Sequence, residues 1–231
     1  MSVVIDQSFK WWSRWLIPAL VLQAVGWWFG LIWIGADKDQ GDVFRIMFVH
    51  VPVAWCAFMW IILAAVFAVI GFVKKSTFEA MDRSAHAAID LGTVFSALAL
   101  ATGSIWGRPT WGVWWDWDPR LTSTLVMFLV CCGYHVLRSL TPDIQARRNA
   151  GQTVALLAAL NVPIVYFSVN IWRSLHQPQT FMRKGGSASP DVSLVLLANV
   201  IAMIILTTIV FKMRRAAIAA QEALEAAREG R

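Results

Sequence analysis

Long apolar runs alternate with short polar segments along the whole chain, and this alternation is the strongest pattern in the sequence. A helix that crosses a bilayer needs roughly 20 mostly apolar residues, and six runs have about this length. They cover residues 16–36, 51–73, 85–105, 121–137, 154–172 and 192–211. The pattern therefore predicts an all-α integral membrane protein with six transmembrane helices.

The composition agrees with the membrane class. Of the 231 residues, 58% are hydrophobic and 15% are charged, and the mean hydropathy is +0.59. The net charge of +6 is not spread evenly, because the Lys and Arg residues cluster at the ends of the apolar runs. We interpret the basic excess as membrane topology and contact with the lipid bilayer, and we expect no nucleic-acid partner.

Six spans place both termini on one side of the membrane, and the positive-inside rule selects the side. Thirteen Lys and Arg residues fall on the side of the N-terminus, and seven fall on the other side. We therefore expect both termini to be cytoplasmic. The chain divides into a membrane domain at 1–215, with a loop on the opposite side of the membrane at 106–121, and a cytoplasmic helical tail at 216–231.

Several classes of protein are disfavoured by the motifs that the sequence lacks. Cys56, Cys131 and Cys132 lie in apolar runs and form neither a CxxC pair nor a CxxCH haem-attachment sequence. These spacings argue against a thioredoxin-like enzyme and a c-type cytochrome. The sequence also lacks a Walker-type phosphate loop, so any ATP hydrolysis belongs to a partner subunit.

Two histidines and a tryptophan-rich segment fall on the side opposite the termini. His50 precedes the second span, His176 follows the fifth, and the segment WGVWWDWDPRLT, Trp111–Thr122, joins the third and fourth. Imidazoles on separate elements can bind one metal from opposite sides. With no cysteine and no third histidine on this side, a four-ligand zinc site is disfavoured, and the axial positions of a haem fit better.

The tryptophan-rich segment suits a large flat ring. It holds four of the fourteen tryptophans, whereas the chain has only two tyrosines. An aromatic belt at the membrane interface would use both residue types, so we favour a stacking wall over a belt. Arginine can bind the haem propionates. The candidates on this side are Trp111, Trp114, Trp115 and Trp117 for the wall, and Arg108, Arg120 and Arg173 for the propionates.

Other polar residues have simpler interpretations. Asp118 directly precedes Pro119 and could start a turn or cap the fourth span. His86 and His135 fall on the side of the termini, where we interpret both as structural. Asp90 is an ionisable residue within a span and therefore a functional hypothesis, with Arg83 as a candidate partner.

The tryptophan-rich segment resembles the WWD signature of the haem-handling proteins of cytochrome c maturation. HVPVAW, His50–Trp55, and IWRSLHQPQT, Ile171–Thr180, resemble the two histidine regions of that family. Six spans with two histidines on one side resemble its haem exporter protein C (CcmC) branch, which belongs to the bacterial inner membrane.

The resemblance implies a binding and transfer protein rather than an enzyme, together with a set of site residues and a set of partners. It implies haem b, held non-covalently on the periplasmic face, with His50 and His176 as axial ligands. It implies the loop as a platform and Arg120 and Arg173 near the propionates; the platform residues are Trp111, Trp114, Trp115, Trp117 and Asp118. The implied partners are CcmE, which receives the haem, the ABC-type subunits CcmA and CcmB, and the small membrane protein CcmD.

Two alternatives remain open from the residues themselves. One is a b-type haem subunit for electron transfer, which would also use two histidines but would normally hold them on helices within the bilayer. The other is a permease or scaffold subunit without haem, in which the tryptophans serve only as an interface.

Overall fold

The computed structural model describes residues 7–172, 174, 176, 189–228 and 230. Within these residues, six helical segments are long and apolar enough to span a membrane, as predicted. They are Phe9–Trp33, Asp42–Val73, Lys75–Trp111, Pro119–Leu140, Ile144–Ile171 and Pro190–Arg228.

Seven α-helices make up these segments. The first segment combines α1 and α2 with a π-helical turn at Phe29–Trp33, and a 3-10 turn at Asp42–Ile46 leads into α3. The helices are α1 Gln7–Ser13, α2 Leu16–Trp28, α3 Met47–Val73, α4 Phe78–Trp111, α5 Pro119–Leu140, α6 Ile144–Ile171 and α7 Pro190–Arg228. Residues 106–111, predicted as part of a loop, form the last turns of α4. α7 runs without interruption from the last span through residue 228.

The centre of the bundle is α3, which packs against α4, α6 and α7. Trp60 and Ile61 of α3 and Met127 and Tyr134 of α5 are among the fully or almost fully buried side chains of the main core cluster. The Trp60 ring stacks on Phe211 of α7 with centroids 4.7 Å apart. This core holds the ends of α3, α4, α5 and α6 together, and those ends build the site described below.

The first span attaches to the bundle by a polar contact. The Gln23 side-chain amide donates to Asn199 Oδ1 at 3.2 Å, and Asn199 Nδ2 donates to the Gly26 carbonyl at 2.9 Å. A Cβ atom at Gly26 would lie only 2.8 Å from Asn199 Oδ1. Glycine at this position therefore lets α2 approach α7 closely enough for a buried hydrogen bond within the membrane.

Charged side chains link the helices at the end of the bundle that carries the termini. Arg138 of α5 binds both carboxylate oxygens of the buried Asp82 of α4, at 2.8 and 3.0 Å. The Lys212 ammonium lies 5.8 Å from the Trp12 ring centroid, which places the N-terminal segment and the end of the last span at this same end.

The predicted partner of Asp90 was wrong. Arg214 of α7 donates to Asp90 Oδ2 at 2.6 Å, whereas Arg83 donates to Glu222 at 2.9 Å. Arg83 and Asp90 are seven residues apart on one helix, which separates them by about 10.5 Å along its axis. The long extension of α7 brings Arg214 and Glu222 alongside α4, and the sequence gives no sign of that packing.

Candidate functional site

A cleft of about 1690 Å³ opens at the end of the bundle that carries the loop between α4 and α5. It lies between α3, α4, α5 and α6. The lining is mostly apolar, and its polar and aromatic residues include His50, Trp106, Trp111, Arg120, Tyr166 and His176. Residues from both predicted histidine regions and from the tryptophan-rich segment therefore meet in one space.

His50 lies in the first turn of α3 rather than in a loop. Its Nδ1 is 2.9 Å from the hydroxyl of Thr102 on α4. That hydroxyl donates to the Leu98 carbonyl at 2.7 Å, so it accepts a hydrogen bond from Nδ1–H. The tautomer is thereby fixed, and Nε2 remains available as a ligand.

The α4 surface beside His50 is shaped to accept the imidazole. The Trp106 ring meets it edge-on with centroids 5.7 Å apart. A Cβ atom at Gly103 would lie 3.2 Å from His50 Cε1. Glycine at this position therefore leaves room for the imidazole ring to pack against α4.

His176 lies outside the helices, in the segment after α6. Its Nδ1 is 3.3 Å from Asp118 Oδ1, and its ring meets Trp111 with centroids 4.8 Å apart. Burial lowers the pKa of His176 to about 4, with a further lowering by the Arg120 charge and an opposing effect of Asp118. The imidazole is therefore neutral near pH 7, and a proton on Nδ1 directed at Asp118 leaves Nε2 free to bind a metal.

Two local signals fix the ends of the loop between α4 and α5. Gly112 ends α4 with a φ of 82°, a left-handed conformation that favours glycine. At the other end, the Asp118 carboxylate accepts from the backbone N–H groups of Arg120 and Leu121, at 2.8 and 3.4 Å. Pro119 occupies the first position of α5. The predicted capping role of Asp118 is confirmed, and the same carboxylate faces His176.

The four tryptophans of the segment occupy different environments. Trp111 lines the cleft, whereas Trp114, Trp115 and Trp117 are not among the described residues that line it. Trp114 and Trp117 are 60% and 73% exposed, and Trp115 is half-buried with its ring 5.7 Å from that of Trp117. Two of the four indoles are therefore largely exposed, and the role of the whole segment as a stacking wall stays a prediction.

The predicted arginines also differ in position. Arg120 lines the cleft, and its Nη2 donates to the Tyr166 carbonyl at 3.3 Å. Arg108 instead donates to the carbonyl of Gly112 at 2.6 Å and supports the loop. Arg173 lies outside the residues that the structure describes.

The family model for Heme exporter protein C matches residues 2–229. The chain belongs to the haem exporter protein C family. This result confirms the resemblance drawn from the two histidine regions and the WWD segment, and membership of this family implies a role in haem handling.

Similar proteins include several bacterial haem exporter proteins C and a plant relative. The protein from Bradyrhizobium diazoefficiens is 41% identical over 74% of this chain and 64% of its own length. This chain thus covers less than two thirds of that relative. The Escherichia coli K12 protein is 36% identical over 90% of this chain and 84% of its own length. A cytochrome c biosynthesis ccmC-like mitochondrial protein of Arabidopsis thaliana is 34% identical over 76% of this chain and 65% of its own length.

Sequence reasoning missed three residues that surround His50 in this haem exporter protein C family member. Thr102 and Trp106 contact the imidazole of His50, and Gly103 leaves room for it. The available signal was a threonine and a glycine within five residues of a tryptophan, near the end of the third span. Assigning them to His50 required knowledge of how α3 packs on α4.

Proposed function

We propose that this chain binds haem b non-covalently between His50 and His176 and delivers it to the haem chaperone CcmE during cytochrome c maturation. It does so on the periplasmic face of the bacterial inner membrane, in an ABC-type complex with CcmA, CcmB and CcmD. One observation carries the proposal: histidines from distant segments line one cleft, each with Nδ1 beside a polar partner and Nε2 available.

The other cleft residues suit the same cargo. Trp106 and Trp111 offer aromatic edges beside the two imidazoles, and such contacts favour a large conjugated ring. The Arg120 guanidinium at the cleft can pair with a propionate. The chain contributes position and charge, while the iron chemistry belongs to the haem.

The charge distribution supports a periplasmic cleft. The N-terminal segment and the end of the last span lie together, opposite the cleft. Their side of the sequence carries thirteen of the Lys and Arg residues and the cleft side seven. By the positive-inside rule, the termini face the cytoplasm and the cleft faces the periplasm.

Transfer to CcmE is the experiment that tests the function. Purified chain loaded with haem is mixed with haem-free CcmE in the presence of CcmA, CcmB, CcmD and ATP, and the haem recovered with CcmE is measured. We expect transfer from the wild type and reduced transfer from Trp114→Ala/Trp115→Ala, because the exposed Trp114 and the half-buried Trp115 of the tryptophan-rich loop offer the approaching chaperone a contact surface.

Trp11→Ala is the matched control for that experiment, since Trp11 is 50% exposed but belongs to α1 at the opposite end. We expect it to transfer haem like the wild type. Haem that stays with the wild-type chain under these conditions, or turns over with a quinol instead, contradicts a transfer function and favours an electron-transfer subunit.

Thr102→Val is expected to weaken haem binding without unfolding the chain. Valine has a similar shape but cannot accept the hydrogen bond from His50 Nδ1. Loss of such an outer-shell partner typically costs a metal site about 10- to 100-fold in affinity. Haem titration of the purified variant measures the change. Thr153→Val serves as the control, because the Thr153 hydroxyl bonds only to the Asn149 carbonyl among the described contacts.

Asp118→Asn is expected to separate the two roles of Asp118. Asparagine caps helices about as well as aspartate, so thermal stability should remain within about 0.5 kcal/mol. The charge beside His176 is lost, and haem affinity should fall by about 10-fold or more. Asp118→Ala should lose both roles, with an added cost of about 0.5–2 kcal/mol in stability. Unchanged haem affinity in the asparagine variant would limit Asp118 to capping.

A further inference from the structure

A second cluster of ligand-type side chains lies near the end of the bundle that carries the termini. His86 and Asp90 belong to α4, and His135 belongs to α5. One candidate ligand atom from each residue lies within 4.8 Å of the other two. None of these residues lines the cleft described above.

The local geometry directs all three groups to one point. His86 and Asp90 are four residues apart and therefore share a face of α4. His86 Nε2 is 3.7 Å from Asp90 Oδ1, and His135 Nδ1 approaches the same oxygen from α5 at 3.6 Å. Two imidazole nitrogens thus converge on a single carboxylate oxygen at distances too long for direct hydrogen bonds.

A neighbouring hydroxyl fixes which nitrogen of His135 faces the carboxylate. The Thr93 hydroxyl donates to the Ile89 carbonyl at 2.7 Å and lies 3.0 Å from His135 Nε2. With its proton engaged, the hydroxyl accepts from Nε2–H, so Nδ1 of a neutral His135 directs its lone pair at Asp90. A lone pair and a carboxylate oxygen repel each other unless a proton or a metal ion lies between them.

The other oxygen of Asp90 is already engaged. Arg214 donates to Oδ2 at 2.6 Å, which leaves Oδ1 directed at the two imidazoles. A ligating carboxylate held in this way by an outer partner is typical of protein metal sites. The side chains of His86, Asp90 and His135 are 19% to 35% exposed.

We propose that His86, Asp90 and His135 bind a divalent transition-metal ion that links α4 to α5 at this end of the bundle. Two neutral imidazoles and one carboxylate suit Zn²⁺, with water at the remaining position. The site is separate from the haem cleft and does not depend on the proposed function. Its structural effect is a cross-link between the third and fourth spans.

The test is a Zn²⁺ titration of the purified full-length chain, produced without a histidine tag and without haem. We expect one saturable site by calorimetry, a visible absorption band when Co²⁺ replaces Zn²⁺, and a rise in melting temperature with Zn²⁺. Asp90→Asn and His135→Gln should each weaken binding by at least the roughly 10- to 100-fold typical of an outer-shell loss. His50→Ala/His176→Ala should bind Zn²⁺ like the wild type.

Three results would overturn the proposal. One is the absence of a saturable site in the wild type. Another is Zn²⁺ affinity unchanged in both Asp90→Asn and His135→Gln. The third is loss of the site in His50→Ala/His176→Ala, which would place the bound metal in the cleft. Helical circular dichroism of each variant distinguishes a lost ligand from a lost fold, and the two single variants on different helices check each other.

Discussion

Replacing either His50 or His176 with alanine is expected to abolish the low-spin absorption of bound haem. An iron with two imidazole ligands is low-spin, and the loss of one ligand leaves a five-coordinate or water-bound iron. Each histidine lines the same cleft, and each keeps Nε2 free because Nδ1 faces a polar partner. Haem affinity should fall at least as far as the roughly 10- to 100-fold caused by loss of an outer-shell partner.

The measurement is the absorption and electron paramagnetic resonance spectrum of the purified, haem-loaded variants. Free imidazole added to His50→Gly or His176→Gly should restore the low-spin signal, because it occupies the vacated ligand position. The double variant should retain little haem. A wild-type low-spin spectrum in either single alanine variant would remove that histidine from the ligand set.

Asp82→Ala is expected to destabilise the chain strongly, because it breaks a buried ion pair at the end of the bundle that carries the termini. The Asp82 side chain is fully buried, and Arg138 binds both of its oxygens. Arg148 Nε lies 3.8 Å from the same carboxylate. Removing Asp82 leaves a largely buried arginine without its bidentate partner, and such a change typically costs about 3–5 kcal/mol. Thermal and denaturant unfolding in detergent micelles measures the loss.

Asp42→Ala is the matched control for a surface pair. Asp42 lies 3.1 Å from Arg45, but its side chain is 77% exposed. Exposed ion pairs contribute about 0–1 kcal/mol, so this variant should unfold close to the wild type. Equal effects of the two substitutions would show that burial of Asp82 does not determine the stability of the α4–α5 contact.

The number of spans was predictable from the sequence, but the ends of the helices were not. The third span was predicted at 85–105, and α4 begins seven residues earlier and ends six residues later. Hydropathy marks only the part of a helix that suits lipid, whereas backbone hydrogen bonds continue through polar residues such as Glu79 and Arg108. The tryptophan-rich loop is correspondingly shorter, with Gly112 and Asp118 at its two ends.

The number of spans between two residues predicted which of the candidate site residues lie on the same side of the membrane. Counting spans placed His50 and His176 on one side, and the structure places both at one cleft. Their role as haem ligands stays a prediction. Counting spans carries no information about helix packing, so it could not predict the contact of Thr102 with His50 or the pairing of Asp90 with Arg214. The WWD segment was treated as one wall, yet only Trp111 of its four indoles lines the cleft.

The most direct test of the central claim is a cryo-electron microscopy structure of the haem-loaded chain with its partner subunits. We expect one haem in the cleft, with its iron bound by Nε2 of His50 and Nε2 of His176. A haem bound elsewhere, or an iron in the cleft that neither histidine ligates, would contradict the account.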